Sequence, residues 1–270
     1  MEQAQHAFES IAPQTLEEAL ALLARRDAEL AALRSAQQEW VHAVSHDLRA
    51  PLRHVLAFNP LIAELLQSPN PSSDDLEEAI SFLQTMDQSA QRMAAMFDGL
   101  LQLSRADRHV LQLQSVDVLP VLHSVQQRLQ ADAEGRQIEW CLPATAPAVQ
   151  ADPYLLELAL TAAMSNAIKF TRSVPQARIQ VDVRDEMQGR DCLIAIADNG
   201  VGFDQSRAGK LFGVFQRMHR EADFEGVGTG LVLVRNICRR HGGEAEIEAQ
   251  PNAGCQLQMS WPKAREASHS

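Results

Sequence analysis

The first 98 residues of this 270-residue chain contain no glycine, and Gly99 is the first one. A chain without glycine offers few places where the backbone can turn with a positive φ, so it favours long helices. Leucines recur at positions 16, 23 and 30, which is an amphipathic pattern with heptad character. We therefore predict a helical lead over residues 1–36 that either forms a dimeric coiled coil or packs on its own domain.

The next helix contains the segment Ser45–Val55, which reads SHDLRAPLRHV. Apolar residues around it follow i, i+3, i+4, i+7 spacing, at Val41, Val44, Leu48, Leu52, Val55 and Ile62. At about 100° per residue, His46 falls on the opposite side of the helix from this stripe. We therefore expect its imidazole to face solvent or a partner. Because Pro51 lacks the N–H that would bond to the Asp47 carbonyl, we also expect a bend there.

A polar turn, QSPNPSSDD, precedes a second long helical pattern that starts near Asp74. Apolar residues repeat there every seven positions, at Leu76, Leu83, Ala90 and Phe97. Two such helices joined by a short turn predict an antiparallel hairpin over residues 37–110. Because a two-helix hairpin cannot enclose its own apolar stripe, we expect it to dimerise into a four-helix bundle.

From about residue 111 the chain alternates between strand and helix patterns, which predicts a second domain over residues 111–264 and a tail over 265–270. Four segments alternate apolar with polar residues: QIEWCL, RIQVDV, EAEIEA and CQLQMSW. Leu193–Ala197 is continuously apolar and suits a central strand. Helical patterns lie between them at about 116–134, 153–170 and 230–241. Strands covered by helices on one face predict an α+β two-layer sandwich.

Composition excludes several classes of protein. The net charge of −11 argues against a nucleic-acid partner, because phosphate binding requires an excess of Lys and Arg. No stretch approaches the roughly 20 apolar residues of a membrane span, and the N-terminus does not resemble a signal peptide. The cysteines lack metal-site spacing, so we expect buried free thiols in a reducing compartment: Cys141, Cys192, Cys238 and Cys255. These features predict a cytoplasmic protein.

Two glycine motifs in the second half could bind a ligand. In DNGVGFD, Asp198 ends the apolar strand, where a carboxylate can accept a hydrogen bond from an exocyclic amine. Gly200 and Gly202 would let the backbone approach that ligand closely. In EGVGTGLVLV, three glycines precede a helix, whose free N–H groups and dipole form a phosphate cradle. No Lys-Ser/Thr pair follows the last glycine, so this is not a Walker loop.

A third motif, SNAIKFT, places Asn166 and Lys169 three residues apart on one helix face. An amide oxygen and an ammonium there could meet one cluster of phosphate and metal. Each motif also has a purely structural explanation, because Asn166 could pack between helices and Lys169 could be a solvated surface charge. The order of the motifs along the chain is more specific than any one of them.

Taken in order, SHDLRAPLRHV, SNAIKFT, DNGVGFD, LFGVFQR and EGVGTGLVLVRNI resemble a two-component sensor histidine kinase. The motif sequences are similar to those in the kinase modules of bacterial phytochromes. The resemblance covers roughly residues 37–262. It implies a dimerisation and histidine-phosphotransfer hairpin, followed by a catalytic domain with the Bergerat-type fold of gyrase and chaperone ATPases.

By this resemblance, His46 is the phosphoacceptor and Asp47 is the acidic neighbour that hydrogen-bonds its imidazole. Asn166 is a magnesium ligand, Lys169 a phosphate contact and Asp198 the adenine-reading carboxylate. The other implied nucleotide-binding residues belong to the glycine motifs and to a lid over residues 203–226: Gly200, Gly202, Phe215, Arg217, Gly226, Gly228, Gly230 and Leu231. The implied cofactors are ATP and Mg²⁺.

The resemblance further implies that His46 attacks the γ-phosphate of ATP and passes the phosphoryl group to an aspartate of a separate response regulator. The other implied partners are a second copy of the chain and an upstream sensor protein that grips the N-terminal helix. Two positions depart from the family. Ala162 replaces a second asparagine that many members carry, and Ala50 replaces the Thr or Asn that orients a dephosphorylating water. We therefore predict weak or absent phosphatase activity.

Two alternatives remain open at this point. One is a dimeric, pseudokinase-like scaffold that binds nucleotide and a regulator without autophosphorylation, which Ala162 favours. The other is an ATPase of the gyrase, mismatch-repair and chaperone superfamily, against which the helical hairpin with His46 argues.

Overall fold

We analysed a computed structural model, in which the described residues are 15–67, 69, 71–133, 135–186, 191–219 and 223–264. The predicted tail and the first 14 residues of the predicted lead lie outside them. The chain divides into two compact units, Met1–Arg49 and Ala50–Ser270. Among the described residues, no helix is both long enough and apolar enough to cross a membrane.

Helix α1 spans Leu16–Gln67 and helix α2 spans Ser73–Arg108. The lead and the phosphoacceptor segment, which the sequence analysis treats as two helices, are therefore one helix. Pro51 and Pro60 lie inside it without ending it, because a proline removes one backbone hydrogen bond and the chain offers no glycine or polar turn there.

Helix α2 begins with a capping box. The Ser72 hydroxyl accepts from the Asp75 N–H at 3.1 Å, and the Asp75 carboxylate accepts from the Ser72 N–H at 2.8 Å. The capping box confirms the helix start predicted near Asp74.

Within Ala50–Gln67, α1 packs against α2 as its hairpin partner. The rings of Phe58 and Phe82 stack with centroids 4.9 Å apart. The seven-residue series of α2 faces outward instead, with Leu76, Leu83 and Phe97 exposed by 44%, 50% and 54%. Helix α2 therefore presents an apolar series that is left exposed.

The strands of the second half are β1 Gln114–Val116, β2 Ile138–Cys141, β3 Val149–Ala151, β4 Ala177–Asp185, β5 Asp191–Asp198, β6 Ala245–Gln250 and β7 Gly254–Pro262. Five of them form a mixed sheet in the order β2-β4-β5-β7-β6. Strands β2 and β4 are parallel and the other neighbours are antiparallel, which makes β5 the central strand, as predicted. A separate antiparallel pair, β1 and β3, was not predicted, because strands of three residues are too short to show alternation.

Three helices, α3 Val118–Asp132, α4 Pro153–Phe170 and α5 Gly230–Arg240, accompany this sheet. Helix α4 contacts β4 and β5, and α5 contacts β6 and β7, so the predicted two-layer α+β sandwich is confirmed. Large side chains from both layers are fully buried between them, namely Leu155, Leu156, Leu160, Met164, Ile194, Met259 and Trp261. A 3-10 helix, Gln205–Lys210, follows the central strand.

Helix α2 also packs against α5. A Cβ atom on Gly99 would lie only 2.8 Å from Cγ2 and Oγ1 of Thr229, so the lack of a side chain permits this contact. Arg240 donates hydrogen bonds to the carbonyls of Ala106 and His109 at the end of α2. The end of the hairpin thus contacts the helix that follows the glycine-rich loop.

All four cysteines are free, as expected. Cys192 and Cys238 are buried, whereas Cys141 and Cys255 are only half-buried, which corrects the expectation that all four are buried. Cys141 ends the edge strand β2, and Cys255 lines a cavity at the start of β7.

Candidate functional site

A cavity of about 620 Å³ lies within the Ala50–Ser270 unit, between α4, the loop after β5 and the start of α5. Its volume is in the range of sites that bind ligands of nucleotide size. Nine of the predicted nucleotide-binding residues line it: Asn166, Lys169, Asp198, Gly202, Arg217, Gly226, Gly228, Gly230 and Leu231. Gly200 and Phe215 are not among the residues that line the cavity.

Asp198 ends the central strand at the cavity. Its Oδ1 accepts a hydrogen bond from the Gly200 N–H at 2.8 Å. Burial raises the pKa of this carboxyl to about 6, although the bonds from backbone N–H groups oppose the rise. The group is therefore mostly ionised at neutral pH, and a carboxylate at this place can accept a hydrogen bond from a ligand amine.

Gly200 and Gly202 bring the loop after β5 close to other backbone segments. A Cβ on Gly200 would lie 2.3 Å from the carbonyl oxygen of Phe170, and one on Gly202 would lie 1.9 Å from that of Gln250. Both glycines are required by packing, because no side chain fits in these gaps. Gly200 thus packs against Phe170, which lines the cavity, whereas the sequence analysis expects a ligand contact there.

Asn166 and Lys169 share one face of α4, as their spacing predicts, and both reach the cavity. A Cβ on Gly230 would lie 3.3 Å from Asn166 Nδ2, and one on Gly226 would lie 3.5 Å from Lys169 Nζ. The glycines therefore let the loop before α5 approach these two side chains. Burial, with a smaller effect from Arg217, lowers the pKa of Lys169 to about 8.

The start of α5 supplies backbone donors. Gly226 and Gly228 have φ values of +103° and +80°, which glycine adopts without strain. Thr229 is the N-cap residue, yet its side chain makes no capping hydrogen bond. The N–H groups of the first turn of α5 therefore remain available to an anion at the cavity.

The predicted lid packs on α5 and on the glycine loop. Arg235 of α5 donates to the Phe212 carbonyl at 2.8 Å, and its guanidinium lies 4.8 Å from the centre of the Phe212 ring. Phe215, with φ +61°, donates its N–H to the Gly228 carbonyl at 3.1 Å. Phe215 thus holds the lid to the loop rather than lining the cavity. The predicted lid also includes residues 220–222, which lie outside the described residues.

The sequence analysis singles out none of three aromatic rings at the cavity, although His219 and Phe224 lie in the predicted lid. Phe170, His219 and Phe224 form a triangle with centroids 5.2–5.5 Å apart. Lys169 Nζ lies 4.4 Å from the centre of the Phe170 ring. Only the position of Phe170, directly after Lys169, could have indicated its place.

Mg²⁺ would depend on few protein ligands here. Within the described ranges, no three His, Cys, Asp or Glu side chains come together as a metal site. The amide oxygen of Asn166 could hold Mg²⁺ together with phosphate oxygens and water, which is how this ion is commonly bound. Ala162 also lines the cavity and offers no ligand atom.

The phosphoacceptor candidate lies in the other compact unit, on α1. The side chain of His46 is 71% exposed, which confirms the orientation predicted from helical spacing. Its Nδ1 lies 3.0 Å from Asp47 Oδ1. When Nδ1 carries the proton and donates it to Asp47, the lone pair of Nε2 remains available for nucleophilic attack.

Two family models match the chain in this order. The model described as His Kinase A (phospho-acceptor) domain matches residues 36–109. The model described as Histidine kinase-, DNA gyrase B-, and HSP90-like ATPase matches residues 151–265.

Curated relatives agree with these matches. The alginate biosynthesis sensor protein KinB of Pseudomonas aeruginosa is 30% identical over 245 residues, which cover 89% of this chain and 39% of KinB. The phytochrome-like protein Cph1 of Synechocystis is 28% identical over 230 residues, which cover 83% of this chain and 29% of Cph1. The chain therefore spans less than half the length of either relative.

A solved structure shares the fold. Histidine kinase ThkA, in its complex with the response regulator protein TrrA, superposes with a TM-score of 0.60 at 16% identity, over 93% of this chain and 68% of ThkA. The two matched models, a phospho-acceptor domain followed by a histidine kinase-like ATPase domain, indicate the family. The chain belongs to the two-component sensor histidine kinases. The alternative of a gyrase-type or chaperone-type ATPase is thereby overturned.

Proposed function

We propose that this protein binds ATP with Mg²⁺, autophosphorylates His46 and passes the phosphoryl group to an aspartate of a separate response regulator. One observation carries the proposal. The chain combines an exposed histidine bonded to Asp47 with a cavity that collects Asp198, Lys169 and Asn166.

The cavity residues have distinct roles in this proposal. Asp198 accepts a hydrogen bond from the exocyclic amine of the base, which selects adenine over a base with a carbonyl at that position. Lys169 and the N–H groups at the start of α5 hold the phosphate chain. Asn166 would hold Mg²⁺, which supplies positive charge against the phosphate oxygens when it is bound.

His46 supplies the nucleophile. Asp47 holds the proton on Nδ1, and Nε2 attacks the γ-phosphorus in line with the leaving oxygen. The bond between Nε2 and phosphorus forms while the bond from phosphorus to the β,γ-bridging oxygen breaks, so ADP leaves. Attack by a carboxylate of the regulator on the phosphohistidine then restores the neutral imidazole.

The partners follow from exposed surfaces. The outward apolar series Leu76, Leu83 and Phe97 supports a homodimer in which a second copy of the chain covers this face. Exposed leucines near the start of α1, Leu16, Leu20, Leu23 and Leu30, support a coiled coil or an upstream sensor protein that grips this helix. We also propose a cytoplasmic location and domain bounds of 37–110 and 111–264.

The test is incubation of the purified protein with γ-labelled ATP and Mg²⁺. We expect label on the protein that is lost in acid and retained in base, as for a phosphoramidate. Nucleotide binding without labelling would instead support the scaffold alternative, which the lack of a ligand atom at Ala162 favours.

Ala50 leads to a separate prediction about hydrolytic dephosphorylation of the regulator. Because alanine cannot orient a water, we expect this protein with ADP to dephosphorylate its phosphorylated regulator slowly or not at all. Ala50→Thr is expected to increase that rate, measured as release of inorganic phosphate. Rapid release by the unmodified protein would contradict the prediction.

A further inference from the structure

We infer that Arg136 is a positioning residue for nucleotide binding, because it holds the end of helix α4 that carries Asn166 and Lys169. The inference rests on the proposed function of the cavity. Arg136 belongs to none of the sequence motifs and lies in the connection between α3 and β2.

The Arg136 guanidinium caps the C-terminus of α4. Its Nη1 donates to the Ile168 carbonyl at 3.2 Å, and its Nη2 donates to the Thr171 carbonyl at 2.9 Å. These two carbonyls flank Lys169 in the chain. A helix leaves its last carbonyls without backbone partners, and a cation there also interacts favourably with the helix dipole. Arg136 therefore fixes the turn from which Lys169 projects.

Arg136 is itself held in place by its neighbours. Gln130 of α3 donates from Nε2 to the Arg136 carbonyl at 3.0 Å. Trp140 of β2 donates from Nε1 to Gln130 Oε1 at 2.7 Å, and the Arg136 N–H donates to the Ala133 carbonyl at 3.0 Å. A chain of hydrogen bonds thus runs from the sheet through α3 to the end of α4. Arg136 is half-buried and lines the cavity, unlike a solvated surface arginine.

The position of Lys169 depends on this turn. The Lys169 ammonium is partly desolvated in the cavity. If the turn moved, the ammonium would lose its contact with a bound phosphate. Because Lys169 would bind the phosphate chain before and during the reaction, a misplaced lysine should weaken ATP binding more than it slows the chemical step. Loss of Arg136 should therefore raise KM and Kd for ATP while kcat changes little.

The experiment measures Kd for ATP with Mg²⁺ by calorimetry, and KM and kcat by autophosphorylation, on the whole chain. We expect Arg136→Met to weaken binding about tenfold, as for loss of hydrogen bonds from a charged group, with kcat within about twofold. Arg136→Lys keeps the charge and one donor, so we expect it to recover most of the affinity. The thermal midpoint of each variant reports folding.

Arg128 provides a matched control. It also extends from α3 to α4, where it donates to Glu157 and Thr161 at 2.7 Å each, about two to three turns before Lys169. Arg128 itself is not among the residues that line the cavity. We expect Arg128→Met to keep the Kd of the unmodified protein within about twofold.

A folded Arg136→Met variant with unchanged Kd would overturn the inference, and so would an equal loss of affinity in Arg128→Met. Should Arg136→Met fail to fold, Arg136→Gln, which removes the charge but keeps an amide donor, decides in the same way. If the unmodified protein binds no ATP, the proposed function fails together with this inference. Binding by the unmodified protein with no effect of Arg136 overturns the inference alone.

Discussion

The phosphoacceptor region and the nucleotide cavity are built in different ways. His46 projects from one continuous helix, with its side chain 71% exposed and its hydrogen-bond partner adjacent in sequence. Asp198 and Lys169 come from a strand and a helix, and burial in the cavity shifts the pKa of both groups. In the proposed function this difference is expected, because a group that accepts a phosphoryl group from elsewhere needs access, whereas groups that hold a ligand come from several segments.

Glycine content reflects the same difference. The helical half has no glycine before Gly99. The cavity depends on Gly202, Gly226 and Gly228, all with positive φ, and on the close approach of Gly200 to Phe170. Local helical geometry is enough to present a histidine, but a cavity requires the backbone to adopt conformations that other residues resist.

The largest expected effect is that of replacing His46, which should abolish phosphorylation without changing ATP binding. We expect His46→Gln to abolish labelling from γ-labelled ATP, because the amide is not a nucleophile, while Kd for ATP stays unchanged. The measurement is phosphorylation together with calorimetric binding. His42 is also exposed on α1, so His42→Gln is the matched control, and this variant should label normally. Labelling that persists in His46→Gln would show that another residue accepts the phosphoryl group.

Asp198→Asn tests the cavity in the same manner. We expect Kd for ATP to rise about tenfold or more, because the carboxylate acceptor is replaced by an amide that can also present N–H groups to the base amine. Asp182→Asn, at an exposed residue of β4 paired with Arg184, should bind ATP normally. Equal affinities of the two variants would remove Asp198 from the site.

The pH dependence of ATP binding tests the burial of Asp198 and Lys169 in the cavity. The carboxyl of Asp198, with a pKa raised to about 6, becomes protonated below that pH and loses its charge as an acceptor. Lys169, with a pKa lowered to about 8, loses its ammonium above that pH. We therefore expect ATP affinity to be highest between these two values and to fall on both sides.

Calorimetric titration at a series of pH values measures this profile. Binding is measured rather than labelling because it reports the cavity alone, without the phosphoryl transfer step. Lys169→Arg keeps its charge, so the alkaline fall should disappear in that variant. An alkaline fall that persists there would assign the transition to another group.

The smallest expected effect is a change in thermal stability at Gly99, where α2 contacts Thr229 at the start of α5. Alanine would gain about 1 kcal/mol of helix propensity, but its Cβ would meet the stiff, β-branched Thr229 at 2.8 Å. Because overpacking costs about 1–3 kcal/mol, we expect Gly99→Ala to lower the thermal midpoint by about 2–4 °C. In a Thr229→Ala background, where only the Cβ at 3.2 Å remains close, the same change should lower the midpoint less. A rise in the unmodified background would contradict the contact.

Helix and strand positions followed from the sequence wherever the apolar pattern was long enough. The outward direction of His46, the central place of β5 and the start of α2 were all predicted, because periods of 3.6 and 2 residues are local properties of the backbone. The same reasoning divided α1 into two helices and missed β1 and β3. The heptad leucines of the lead give way to a different apolar stripe after residue 36, and such a change does not show whether the helix continues. A strand of three residues is too short to show alternation.

The sequence by itself determined the order of the motifs, the family they indicate and the side of the helix on which His46 projects. Only the tertiary structure decided that Gly200 and Phe215 support the cavity from outside its lining, that Phe170, His219 and Phe224 meet, and that Arg136 caps α4. The physical reason is the range of the interactions. Periodicity acts between residues a few positions apart, whereas these contacts join segments whose approach depends on how the whole core packs.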